Sequence, residues 1–291
     1  MNYEKIIILV NAAANSNHID NIEMKMACEH INKFKPCQIV YTESIADFIN
    51  KIKTFSAEDS TLIAVAGGDG TFNLALNEIK ENANIGLIPI GTANVVAKEL
   101  GFPKRIRDMF KLLLTGAVQK IDLGLCCGKK FAFAAGIGFD AVVANSVSHK
   151  LKSYLGQAAY AVALIKTILN YKPSKLTIEC DDGKILEGDF AIFANMRRYG
   201  GELYFAPEAR YDDGILNLVL LKNFSFLNLL KLIKYAYGRG EFPKMAVKAE
   251  GKKFKVTASE PTYYELDGEV FGPEKTFDIE VKALSQGIIT T

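Results

Sequence analysis

The chain has 291 residues, which at about 150 per domain allows roughly two domains with cores of ordinary size. Lys and Arg total 35 against 33 Asp and Glu, a net charge of +2, which excludes a chain-wide polybasic nucleic-acid binder and an acidic tail protein. Hydrophobic residues at 49% and charged residues at 23% exclude a disordered chain.

From the N-terminus, residues 6–10 form a continuous apolar, β-branched run, as in a strand buried on both faces. Lys5, this run and Ala12 to Ala14 imitate a secretory signal. The apolar core is too short for one, since a signal needs about 7–15 residues. Ile22, Met26 and Phe34 suggest one face of a helix ended by Pro36. A short strand follows at 38–41, and Ala46, Ile49 and Ile52 make a second helical stripe. Residues 62–66 read as another buried strand, Phe72, Ala75, Leu76 and Ile79 as a helix, and 85–88 as a strand ended by Pro89. This rhythm predicts a parallel sheet covered by helices, with ligands at the carboxyl ends of its strands.

After about residue 124 the pattern changes. Strands are expected at 129–134, 176–180, 186–194, 216–221, 254–258, 263–266 and 277–281. Asp182-Gly183, Asp213-Gly214 and Asp267-Gly268 mark turns between them. Long helices are expected at about 147–171 and 225–237. The predicted fold is an α/β domain over 1–124 and a mainly β, sandwich-like domain over 125–281. The C-terminal residues, about 282–291, can return to the first. The longest apolar run, 158–165, is far short of the ~18 residues of a membrane span. The five cysteines (Cys28, Cys37, Cys126, Cys127 and Cys180) are odd in number and contain no CxxC, which argues against a disulfide framework or zinc ribbon and for a reducing compartment.

Gly67-Gly68-Asp69-Gly70-Thr71 follows a strand and opens a helix. Its glycines let backbone N–H groups approach an anion, and the helix N-terminus adds positive dipole. A carboxylate in such a loop repels phosphate unless a cation intervenes, so Asp69 points to Mg²⁺ and a nucleotide polyphosphate. The plain alternative is a glycine-rich turn. By composition the pentapeptide occurs by chance about once per few thousand such chains. Gly91-Thr92-Ala93-Asn94 repeats the logic after the next strand, with helix capping as its alternative.

Rival signatures are absent. There is no GxxxxGK[ST] loop, no protein-kinase catalytic loop and no GxSxG elbow. Gly136 to Ala141 fits GxGxxA, yet Tyr160 stands where a dinucleotide site needs an acid. His18, His30 and His149 form no metal-spaced pair. The segment 224–237 mixes Phe, Leu and Ile with Lys222, Lys231, Lys234 and Arg239 around it. It reads either as a helix docking on anionic headgroups or as a core helix with snorkelling lysines. A second basic cluster, Lys244 to Lys255, reads as a solvated strand face without the aromatics of a nucleic-acid site.

Taken in order, Gly67 to Thr71, Gly91 to Asn94, Asp122-Leu123-Gly124, Gly136 to Asp140, Ala194-Asn195, Gly200-Gly201, Ala206-Pro207-Glu208, Asp212-Asp213-Gly214 and Leu266-Asp267-Gly268-Glu269 resemble the diacylglycerol kinase catalytic-domain family over most of the chain. That family is related to sphingosine and ceramide kinases. The resemblance implies an α/β nucleotide-binding domain, a β-sandwich domain and a site in the cleft between them. It implies Mg²⁺-dependent transfer of the ATP γ-phosphate to a lipid hydroxyl by a cytoplasmic protein peripherally associated with the membrane. Diacylglycerol is the first acceptor to consider. A sphingoid base, phosphatidylglycerol, ceramide or a polyprenol-type alcohol stay open, as do NAD kinase activity and a catalytically silent nucleotide or lipid binder. A homodimer also stays open, and no nucleic-acid partner is implied.

By the same resemblance, Asn11, Thr42, Gly67, Gly68, Asp69, Gly70, Thr71, Asn73, Gly91, Thr92 and Asn94 belong to the nucleotide side. Asp69 acts through Mg²⁺, Asp267 accepts the hydroxyl proton and Glu269 stands beside it. Asp213, with the carbonyl of Ile215, matches a structural Mg²⁺ site. Without the resemblance, Asp267 also reads as an ordinary type I′ turn aspartate. Three departures from the family pattern stand out: the first loop, Asn11 to Ser16, has neither Pro nor Gly; Arg210 replaces an acid three residues before Asp213; and Lys98 replaces an Arg.

Overall fold

The computed structural model describes residues 3–11, 21–139, 141 and 171–290. Residues 12–16 of the first loop, His18, Asp140, His149 and all but the last residue of the helix expected over 147–171 lie outside them. The chain divides into two compact units, Met1–Leu123 with Lys282–Thr291, and Gly124–Val281.

In the first unit, β1 (Lys5–Asn11), β2 (Cys37–Thr42), β3 (Thr61–Gly67) and β4 (Asn84–Pro89) form a parallel sheet in the order β4-β3-β1-β2. Ile6, Ile7, Ile8 and Leu9 are fully buried because helices cover both faces, and each contributes about 1.5–3 kcal/mol of burial. The helices are α1 (Asn21–Asn32), α2 (Ile45–Ser56), α3 (Asp69–Glu78), α4 (Val95–Glu99) and α5 (Ile106–Thr115). Ser44 caps α2 by accepting from the Asp47 N–H at 3.1 Å. All four strands end at the same edge, so Asn11, Thr42, Gly67 and Pro89 lie in a row there.

Two predicted helix faces are corrected. Ile22, Met26 and Phe34 are exposed, and α1 buries Met24, Cys28 and Ile31 against β2 and α5. Both sets fit a 3.6-residue period in part, and Phe34 lies beyond the helix end. On α2, Ala46 is exposed, and the buried stripe is Phe48, Ile52 and Ser56. Phe48, fully buried, sets the inward face, and Phe55 is half-buried beside it.

The second unit begins on β5 (Ala117–Cys126), which enters it at Gly124. It continues with β6 (Lys129–Phe131), β7 (Ala134–Ile137), β8 (Leu176–Cys180), β9 (Ile185–Gly188), β10 (Phe190–Ala194), β11 (Leu216–Leu221), α6 (Phe226–Ala236), β12 (Ala246–Gly251), β13 (Lys253–Leu266) and the start of β14 (Glu269–Thr290). Neighbouring strands are antiparallel in the order β12-β11-β10-β7-β13-β14. Gly287 and Ile288, at the end of β14, pair in parallel with β4 inside the first unit.

β13 serves two layers. Its residues Phe254 to Ala258 pair with β8, and Tyr264 to Leu266 pair with β7, with register shifts against β14 between Thr257 and Tyr264. The two strands expected at 254–258 and 263–266 are therefore one. Conversely, the strand expected at 129–134 is two, β6 and β7, and that at 186–194 is two, β9 and β10, broken at Asp189. Asp182-Gly183 and Asp267-Gly268 close hairpins, whereas Asp213-Gly214 leads into β11 from an irregular segment.

Candidate active site

The first cluster lies at the carboxyl ends of β3 and β4. Gly67 must lack a side chain, because a Cβ there would lie 2.5 Å from Thr71 Cβ. A Cβ on Gly91 would lie 2.5 Å from Gly68 Cα, so the two loops touch backbone to backbone. The Ile90 N–H donates to the Gly67 carbonyl at 3.1 Å and locks them together. Behind them, Gly68 caps α3, whose first turn carries Asp69. This arrangement aims the free N–H groups of a ten-residue helix at one small volume, which suits a phosphate.

Asp69 faces the neighbouring loop. Its Oδ1 accepts from the Val96 N–H at 3.3 Å, at the start of α4. Burial raises its carboxyl pKa. The N–H groups of Val95, Val96 and Asn94 and the charge of Lys98 act in the opposite direction. A carboxylate has about four lone-pair directions, so capacity remains for a hydrated cation held mainly by phosphate oxygens. Asp69 thus fits a nucleotide-borne Mg²⁺.

The remaining nucleotide-side residues divide. Asn11 Nδ2 donates to Thr71 Oγ1 at 3.2 Å and ties the end of β1 to the phosphate loop. Thr92 is exposed at the second loop. Three of them bond within the fold. Thr42 is 1% exposed and its hydroxyl donates to the Val10 carbonyl at 3.1 Å, so it braces β1. Asn73 is buried on α3, with its Oδ1 accepting from Asn77 Nδ2. Asn94, in the left-handed region at φ 47°, accepts from Gly91 N–H and donates to Gly91 O at 3.0 and 2.7 Å, shaping its own loop. A polar groove of about 560 Å³, lined by Asp59, Lys80 and Asn84, lies at the opposite ends of β3 and β4 and is separate from these loops.

The second cluster lies in the second unit, at the β13–β14 turn. Asp267 takes φ 52° and Gly268 φ 88°, the two positive values of a type I′ turn. Asp267 is 4% exposed. Its Oδ2 accepts from Ala132 N–H at 2.6 Å, and its Oδ1 from Phe133 and Ala134 N–H at 2.8 and 3.2 Å. These donors explain why the strand expected at 129–134 breaks: the N–H groups leave the ladder for the carboxylate. Asn195, fully buried, donates to the Ala132 carbonyl at 2.7 Å and holds the same segment. Glu269 is exposed on the far side of the turn.

A second buried acid stands close by in sequence. Glu265, 4% exposed, accepts from Gly268 N–H at 2.6 Å and from the Tyr199 hydroxyl at 2.8 Å. Sequence reasoning passes over it because strand alternation with Tyr264 and Leu266 assigns residue 265 to the solvent face. The tyrosine across the turn was the missing signal.

The segment expected to hold a structural Mg²⁺ is a tight local turn. Asp213 Oδ1 accepts from Ile215 N–H at 3.0 Å, and Arg210 pairs with Asp212 at 3.2 Å. Among the described residues no group of three or more His, Cys, Asp or Glu could hold a metal ion.

Comparison with known proteins accords with this geometry. Residues 5–126 match the diacylglycerol kinase catalytic domain, and residues 134–285 match the YegS C-terminal NAD kinase beta sandwich-like domain. The chain is 31% identical to the diacylglycerol kinase of Bacillus subtilis over 241 residues, covering 79% of this chain and 78% of that one. It is 28% identical to the diacylglycerol kinase of Staphylococcus carnosus over 238 residues, covering 79% and 77%. A diacylglycerol kinase crystal structure from Bacillus anthracis shares the fold with a TM-score of 0.76 at 21% identity, covering 100% of this chain and 98% of that one. An NAD kinase from Archaeoglobus fulgidus in complex with ATP shares it more distantly, with a TM-score of 0.55 at 13% identity and coverage of 98% and 93%. The chain therefore belongs to the diacylglycerol kinase catalytic domain family, and by that membership it is an ATP-dependent lipid kinase.

Proposed function

We propose that this chain transfers the γ-phosphate of ATP to the hydroxyl of a lipid alcohol at a membrane surface, with diacylglycerol as the acceptor and Mg²⁺ as the counter-ion of the nucleotide. The observation that carries the nucleotide half is the backbone contact between Gly68 and Gly91: a Cβ on Gly91 would lie 2.5 Å from Gly68 Cα, and one on Gly68 would crowd Gly91 Cα at 3.2 Å. Two strand ends and the N-terminus of α3 then present N–H groups to one polyphosphate. Phosphoryl transfer asks the protein chiefly to position its reactants and neutralise charge. Mg²⁺ supplies that neutralisation when bound, and Asp69 is the residue that would hold it.

Asp267 serves the acceptor half. Three N–H donors fix both its oxygens. A loose transition state requires only that the hydroxyl be oriented and its proton taken late, so a rigidly held carboxylate suffices. Glu265 and Tyr199 hold the turn that carries it. The diacylglycerol kinases of the comparison support diacylglycerol as the acceptor.

The test is transfer of labelled γ-phosphate from Mg·ATP into diacylglycerol, a sphingoid base, phosphatidylglycerol and ceramide in mixed micelles, with NAD as a soluble control. Labelled phosphatidic acid that disappears in Asp69→Ala and Asp267→Asn is expected. Label in NAD alone, or label in no lipid while ATP still binds, overturns the proposal.

A further inference from the structure

α6 satisfies its packing with one stripe and leaves another. Leu229, Leu232 and Ala236, spaced by three and four residues, are buried. Leu227 at 68%, Leu230 at 44% and Phe226 at 37% exposure lie on the other side, with Tyr237 beyond the helix end at 54%. At 100° per residue these four and Lys231 and Lys234 share an arc of about 140°. Among the described residues, folding within the second unit therefore accounts for one face only.

Charge identifies what the other face fits. α6 contains no carboxylate, and its face carries Lys231 and Lys234. Lys222 and Arg239 are exposed just before and after it. Another exposed apolar pair among the described residues, Ile22 and Met26 on α1, has Glu23 and Lys25 between its members and Glu29 beyond, so its charge is mixed. Large apolar side chains bordered by ammonium groups match a bilayer interface. There the apolar groups pass the headgroups and the lysines meet anionic phosphates. We propose that this face of α6 docks the protein on an anionic lipid bilayer.

The helix is firmly joined to the turn at Asp267 within the same unit. The Phe224 N–H, just ahead of α6, donates to buried Asp189 at 2.7 Å. At its other end, the Ala236 carbonyl accepts from Tyr204 N–H at 2.8 Å. Tyr199, bridged to Leu203 in the same loop, donates to Glu265, which holds Gly268. A bilayer bound to α6 thus lies a short, hydrogen-bonded path from the residue proposed to receive the acceptor hydroxyl.

This inference deepens the lipid-kinase reading by naming the surface that meets the lipid, and it is tested without ATP. The wild-type chain and two double variants, Leu227→Glu with Leu230→Glu and Lys231→Glu with Lys234→Glu, are sedimented with vesicles. These are phosphatidylcholine alone or mixed with phosphatidylglycerol. All the replaced side chains are exposed, so melting temperatures should match and report an intact fold. Wild type is expected to bind the anionic vesicles at least about tenfold more tightly than the neutral ones. Each double variant should lose at least about tenfold, since one basic group near the surface is worth about fivefold. Transfer to a monomeric short-chain diacylglycerol should stay unchanged in both variants, which separates docking from chemistry. No vesicle binding by wild type, equal binding to both vesicles, or full binding by both variants overturns the proposal. So does self-association in solution that the leucine variant abolishes in a protein that ignores vesicles.

Discussion

Gly91→Ala tests the phosphate-loop geometry most directly. The new Cβ meets Gly68 Cα at 2.5 Å, Asn94 Oδ1 at 2.8 Å and Gly68 N at 3.3 Å. Two of those atoms are backbone, so no side-chain rotation relieves the clash. Reaching ordinary contact distance separates the loops by about 1 Å, and overpacking of that kind costs about 1–3 kcal/mol. The separation also strains the Ile90-to-Gly67 bond and the two Asn94-to-Gly91 bonds, each worth about 1 kcal/mol. A misplacement of about 1 Å in a phosphate-positioning loop lowers kcat/KM by about a hundredfold. ATP titration by calorimetry, initial rates of labelled-phosphate transfer and thermal unfolding should show weaker nucleotide binding, that loss of rate and a fall of several degrees in Tm. Gly240→Ala is the control, because its Cβ finds its nearest neighbour at 3.6 Å, on the flexible Lys234 side chain. Wild-type binding and rate in Gly91→Ala would refute the claim that backbone contact between the loops builds the site.

Thr42→Val keeps shape and removes only the hydroxyl bonded to Val10. It should lower stability by about 1 kcal/mol and leave the KM for ATP unchanged, as chemical denaturation and steady-state kinetics will show. Asp267→Asn turns an amide toward backbone N–H groups that need acceptors. It should cost about 1–3 kcal/mol in stability and reduce transfer by about a hundredfold or more with ATP affinity retained; loss of ATP affinity instead would remove Asp267 from the acceptor half. Cys127 is exposed, and its hydrogen bond with Cys126 pulls its thiol pKa down to about 7, while that same bond and then burial push Cys126 up. The thiolate is the nucleophile, so alkylation of Cys127 should rise with pH through about 7, with Cys126 unmodified, as peptide mapping will read.

Local chemistry alone made much of this protein legible. The run at 6–10 is apolar without alternation because both faces of that strand are covered. Three glycines around an aspartate announce a turn that must bring backbone to an anion, and Asp267-Gly268 announces a type I′ hairpin. All of these are properties of neighbouring residues. Tertiary structure decided which of two apolar stripes α1 buries, because the choice belongs to the surfaces of β2 and α5. It turned Thr42 and Asn94 into braces by setting carbonyl and N–H groups within their reach. It also made Asp267 the keystone of its turn. The N–H groups that hold it lie more than 130 residues earlier in the chain, and they arrive only because β13 pairs with β7. Hydrophobic period and turn propensity act over a few residues, whereas hydrogen-bond partners for a buried carboxylate are chosen by strand pairing, which the fold alone sets.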